Sequence, residues 1–185
     1  MRIMTSLQLR LAITALCLVA EISLLMWEHF HGGIKSHHIL HRADLPAFSN
    51  AWGLIVLPAL AWWASTQVLK RMDSSQSKSI DFTNVPSSAI FGFTGALIAG
   101  AALAFGFNQG YETFTGYLFQ TMFVLALVLP AYRAETLLGF VLGMNVVFGT
   151  VLPTAIGAVL AAFSAITHLI LWPLLARGWR WGVRR

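Results

Sequence analysis

Charge is scarce in this chain, and the scarcity excludes most of what a soluble domain does. Seven acidic and twelve basic residues leave 10% of the 185 positions charged, while 57% are hydrophobic and the mean hydropathy is +0.72. No water-soluble core of this size absorbs so many apolar side chains, so the bilayer must be their solvent. Cysteine is nearly absent too. A single Cys17 forbids an intramolecular disulfide and any cysteine-based zinc motif. Walker, Rossmann, Gly-x-Ser-x-Gly and His-Glu-x-x-His patterns are all missing. The net charge of +5 does not describe a nucleic-acid surface, because the basic residues stand at the ends of apolar segments and are not interleaved with aromatics. Membrane lipids are the expected contacts, and no nucleic acid is.

What the chain does have is long apolar runs. They fall at about residues 7–27, 51–69, 87–107, 114–132, 135–153 and 155–176, each near the roughly 20 residues a spanning helix needs. The fold class predicted is therefore all-α: one polytopic integral membrane domain over 1–185, a bundle of about six transmembrane helices. Gly32-Gly33 and Pro46 punctuate the first connection, a polar stretch from Met72 to Pro86 the second, Asn108-Gln109-Gly110 the third, and a tight turn is expected near Pro153. The N-terminus, with Arg2 and Arg10 before an apolar run, reads as a retained first span and not a cleaved signal. Alternating sides places Arg2, Arg10, Lys70, Arg71, Lys78, Arg133, Arg177, Arg180, Arg184 and Arg185 on one face, with only Lys35 and Arg42 opposite. Lys and Arg are retained on the cytoplasmic side, which predicts an inner (plasma) membrane protein with both termini cytoplasmic and the loop over 28–50 facing outward. Trp27 and Trp52 flank that loop, and Trp172, Trp179 and Trp181 mark the other interface.

Small residues at Gly92, Ala96, Gly100 and Ala104 recur every four positions, with shorter versions at Gly139 and Gly143 and at Gly157, Ala161 and Ala165. Such stripes let helix backbones approach closely. Packing within the bundle is the expected use; a homo-oligomer or a place in a larger membrane complex is the other.

Five of the six histidines lie between Glu28 and Asp44, at His29, His31, His37, His38 and His41. Imidazoles and carboxylates at this density are the raw material of a transition-metal site. On a helix, 38 and 41 or 37 and 41 would share a face, and a turn at Gly32-Gly33 would fold His29 and His31 back toward them. Asp44 is a further candidate ligand, with Ser36 and Glu28 as acceptors that orient imidazoles. A solvated polar connection is the plainer account of the loop, and proton relay a third. Glu21 lies inside the first segment, seven residues before Glu28 and so on its face. A carboxylate at that depth ligates an ion, pairs with a cation or keeps its proton. His168, one turn after Ser164, and Asn145 are mid-segment groups, for which interhelical hydrogen bonding competes with a site role. Glu112 and Thr113 open the fourth segment on the histidine side, where an acid also suits the helix dipole.

Together these features predict a membrane-integral, metal-dependent enzyme acting on a lipid or membrane-soluble substrate. Its cofactor would be a divalent transition metal (zinc, iron or copper) held by some of His29, His31, His37, His38, His41, Asp44 and His168, with Glu21 and Glu28 as catalytic proton carriers. The alternatives are a transition-metal transporter or metal-handling protein, and a small structural subunit of a larger complex.

Overall fold

The structure is a computed structural model and describes residues 5–38, 47–73 and 85–182. Helix α1 (Ser6–Phe30) starts at Thr5 with a reciprocal cap: Gln8 N donates to the Thr5 hydroxyl while Thr5 N donates to the Gln8 side chain. It stops where Gly32 and Gly33 take φ of 115° and 97°, with Gly33 N bonded back to Glu28 O at 3.0 Å. Two short strands follow, β1 (Ser36–His38) and β2 (Ala47–Ser49), paired antiparallel with His37 opposite Phe48. The expected helical spacing of the second histidine group is therefore replaced, at 37 and 38, by a strand. A 3-10 turn at Asn50–Trp52 leads into α2 (Gly53–Asp73).

The remaining helices are α3 (Ser87–Asn108), α4 (Glu112–Val128), α5 (Ala134–Phe148), α6 (Val151–Ile166) and α7 (Trp172–Gly182), the last two joined without a break by a π-helical stretch, Thr167–Leu171. Among the described residues, four stretches are long and apolar enough to cross a membrane: Ser6–Phe30, Asn50–Met72, Ser87–Asn108 and Val151–Arg177. α4 and α5 are apolar but shorter, at 17 and 15 residues. At 1.5 Å per residue, α5 reaches roughly 22 Å against a hydrocarbon core of about 30 Å. The result is an all-α bundle with, among the described residues, four helices long and apolar enough to cross a membrane where about six were expected.

Both shortenings have local causes. Pro130 disfavours helical geometry at the residue before it, and Leu129 is extended at φ −98°, ψ 145°, so α4 ends at Val128 instead of near 132. α5 ends at Phe148 because Gly149 turns the chain at φ 65°. The turn expected at Pro153 thus falls at Gly149-Thr150, and Pro153 sits in the first turn of α6, where its missing N–H costs nothing.

α5 is the axis of the bundle. Leu137, Leu138, Phe140, Val141, Met144 and Phe148 are all buried, and α2, α3 and α6 pack around them. Its crossing with α3 is close and depends on missing side chains. A Cβ at Gly139 would overlap the Phe93 carbonyl oxygen, one at Gly143 that of Leu97, and one at Gly100 would stand 2.6 Å from Phe140 O. The outer surface is apolar, with Leu16, Phe30, Phe91 and Val128 each more than two-thirds exposed, as a lipid-facing surface should be.

Contacts sort the helix ends into two groups. Asn50 lies against Gly149, and Phe107 stacks near Phe148 at 4.7 Å between centroids, so the hairpin, the end of α3 and the α5–α6 turn form one end. At the other, Arg71 is paired with Glu135, and Arg133 donates to the Ser88 hydroxyl at 3.0 Å.

Candidate functional site at the hairpin end

The seven-residue spacing of Glu21 and Glu28 carries both onto the face of α1 turned toward α2 and α5, and their exposures are 0% and 1%. An apolar interior penalises a carboxylate unless specific partners meet it. Glu28 is met on both oxygens. Oε1 accepts from Asn50 Nδ2 at 2.7 Å and Oε2 from Lys35 N at 3.3 Å, while Asn50 N donates to Lys35 O at 2.9 Å. The acid therefore fastens both roots of the hairpin to α1. Gly149 makes room for this clamp, since a Cβ there would overlap Asn50 Oδ1.

Glu21 is met on one side only. Oε2 accepts from Asn145 Nδ2 at 2.6 Å, 124 positions away in the chain. Oε1 and the Asn145 Oδ1 atom are buried without a hydrogen-bond partner among the described residues, as is Thr150 Oγ1. Gly53 is what lets the carboxylate fit, because any Cβ at that first residue of α2 would overlap Oε1. One helical turn deeper, Cys17, Leu57 and Val141 belong to a hydrophobic cluster that continues through Ala61, Ala64 and Leu138. Polar groups thus run inward from the hairpin through Glu28 and Asn50 to Glu21 and Asn145, and seven residues further along the same face of α1 the Thr14 hydroxyl is buried as well.

The histidines are less gathered than the acids. His31 Nδ1 lies 2.8 Å from Trp27 O, and its ring stacks on the Trp27 indole at 4.6 Å. A carbonyl only accepts, so Nδ1 carries a proton, and in the neutral ring the lone pair is on Nε2. That is the usual preparation of a metal-ligating imidazole. His29 is exposed beside Phe30, and His37 is half-buried in β1. His41 and Asp44 lie outside the described residues, and of His38 only the backbone is described. Among the described residues no three His, Cys, Asp or Glu side chains converge to hold an ion.

His168 is placed apart from all of these, at the opposite end. Nδ1 is 2.9 Å from Ser164 O and Nε2 3.2 Å from Val128 O, and the Ser164 hydroxyl donates to Leu129 O at 3.0 Å. Each ring nitrogen thus faces a carbonyl, Nδ1 that of Ser164 within its own helix and Nε2 that of Val128 at the C-terminus of α4, and the nitrogen that carries the proton donates to its carbonyl. Glu112 and Thr113 open α4 at the hairpin end, in a shallow surface depression with Tyr111 and Phe114, away from the buried acids.

Asn50, Gly53, Gly149 and Thr150 are absent from the sequence-derived candidates. Two of them, Gly53 and Gly149, carry only the signal of a glycine beside an apolar run, and their meaning depends on which distant side chain fills the space. Compared with family models, with curated proteins and with solved structures, the chain matches none of them.

Proposed function

We propose that the hairpin end is the working end of a membrane-integral, metal-dependent enzyme acting on a lipid or other membrane-soluble molecule. A divalent transition metal would be held by the hairpin histidines, with His31 offering Nε2, and Glu21 would carry a proton beneath it. The observation that carries this reading is the buried Glu21 carboxylate, met on one oxygen only and lying inward of the hairpin. A transporter needs polar groups to continue toward the far side, and a broken helix near the midplane would be its usual sign. Here Cys17, Leu57 and Val141 pack next to Glu21 and Asn145, and α2 runs unbroken past Pro58. The roles of the two acids also differ: Glu28 is committed to holding the hairpin, whereas Glu21 keeps an oxygen available.

Elemental analysis of protein made without a histidine tag tests the proposal. About one or two first-row metal ions per chain are expected from a three- or four-ligand site. Joint replacement of His37, His38 and His41 should abolish them. Glu21→Gln preserves volume and should leave the fold intact, while lowering retention against a competing chelator roughly tenfold, the scale of an interaction that supports a ligand indirectly. Metal-free protein from metal-replete medium would reduce the hairpin to a polar connection and favour a structural subunit.

A further inference from the structure

A second feature lies at the other end of the bundle. Between α3, α4, α5 and α6 is a cavity of about 360 Å³, a size at the small end of ligand pockets. It exists because the small-residue face of α3 is divided. Gly100 is pressed against α5, whereas a Cβ at Gly95 would meet nothing within 4 Å, and Gly92, Ala96 and Ala99 line the same hollow. The far wall is Met122, Leu125 and Ala126 of α4. Phe91, Leu125 and Leu129 are at once lining residues and exposed on the apolar outer surface, so the cavity opens sideways, where lipid chains would be.

Its character changes at one end. Arg133, Ser88 and Thr136 form the polar limit of an otherwise hydrocarbon-lined space. Arg133 spends one N–H on the Ser88 hydroxyl and, among the described residues, its guanidinium has no carboxylate partner. The neighbouring cation, Arg71, is by contrast paired with Glu135. A guanidinium has five donors arranged to meet phosphate oxygens in pairs, and basic pockets between membrane helices take anionic headgroups. We infer that this cavity holds one acyl chain of an anionic phospholipid drawn from the adjoining leaflet, with the phosphate on Arg133 and Ser88. The site is separate from the hairpin end, and the lipid there is a bound component and not the substrate of that end.

The test uses the full-length protein in phosphatidylcholine vesicles doped with spin-labelled phosphatidylglycerol or spin-labelled phosphatidylcholine, reading the motionally restricted fraction. Phosphatidylglycerol should be preferred by roughly fivefold, the scale of one basic side chain acting on an anionic headgroup. Arg133→Gln should remove the preference and Arg133→Lys retain most of it. Gly95→Leu, which fills the hollow, should lower the restricted fraction of both lipids, with helix content unchanged by circular dichroism. Equal restriction of the two lipids by the wild-type protein would overturn the inference. So would a preference that survives Arg133→Gln, or restriction untouched by Gly95→Leu. A spin-labelled fatty acid held more firmly than phosphatidylglycerol would also overturn it, by making the occupant a free acid.

Discussion

Glu21 and Gly53 make a pair whose members are intelligible only together. In a helix interior, glycine costs roughly 0.5–1 kcal/mol relative to alanine, so at the first residue of α2 Gly53→Ala on its own terms should be neutral or slightly stabilising. The space a Cβ would need is occupied by the Glu21 carboxylate. Displacing that group breaks its bond to Asn145 and leaves buried polar atoms unmet, at a cost of about 1–3 kcal/mol. Gly53→Ala should therefore destabilise the wild-type protein and become neutral or favourable in a Glu21→Ala background. Thermal unfolding of the four combinations in detergent measures the coupling, and additive effects would mean that the two side chains do not compete for space. The depth of Glu21 and its shared face with Glu28 were legible in the sequence, because a seven-residue helical spacing is local geometry. The amides that meet them were not. Asn50 and Asn145 reach the acids across 22 and 124 positions, and nothing in a local pattern ties an asparagine to a distant carboxylate.

At the scale of elements, the same contrast separates glycines that permit packing from glycines that line space. Gly139 faces the Phe93 carbonyl, a backbone atom that cannot rotate away, so Gly139→Ala must push α3 and α5 apart. A loss on the order of 1–3 kcal/mol is expected, as for overpacking elsewhere. Gly95→Ala meets open space and should be neutral or slightly stabilising. Chemical unfolding of both variants checks the ordering, and equal losses would show that α3 and α5 do not cross as described. The existence of the apolar segments was legible, since hydropathy over twenty residues is a strong signal. Their ends were less so where Pro130 and Gly149 act, because both cut short a hydrophobic run that composition alone would continue. The hairpin was missed for a related reason. Three-residue strands carry too little periodicity to be told from a polar loop, and the clamp that holds them comes from Glu28 and Asn50, outside the strands.

For the whole molecule, the charge distribution makes a prediction about orientation. Ten of the twelve basic residues fall on one side if every apolar segment crosses, which predicts a hairpin facing outward. In a Cys17→Ala background, Ser36→Cys should react with an impermeant thiol reagent on intact cells, and Ser75→Cys, in the sequence between α2 and α3, should be protected. The reverse pattern would put the candidate metal centre on the cytoplasmic side. Why the short α5 can serve in such a bundle follows from its position: wrapped by α2, α3 and α6, it need not match the bilayer by itself.

The bond between Glu21 and Asn145 also sets an order of events during biosynthesis. A chain made from its N-terminus brings the acid to the membrane while its amide is still 124 residues from being synthesised. At about 5–20 residues per second, that interval is roughly 6–25 s. Throughout it, α1 must remain in contact with water, with the insertion machinery or with a proton. The first helix is thus held provisionally, and its final seating waits on the fifth.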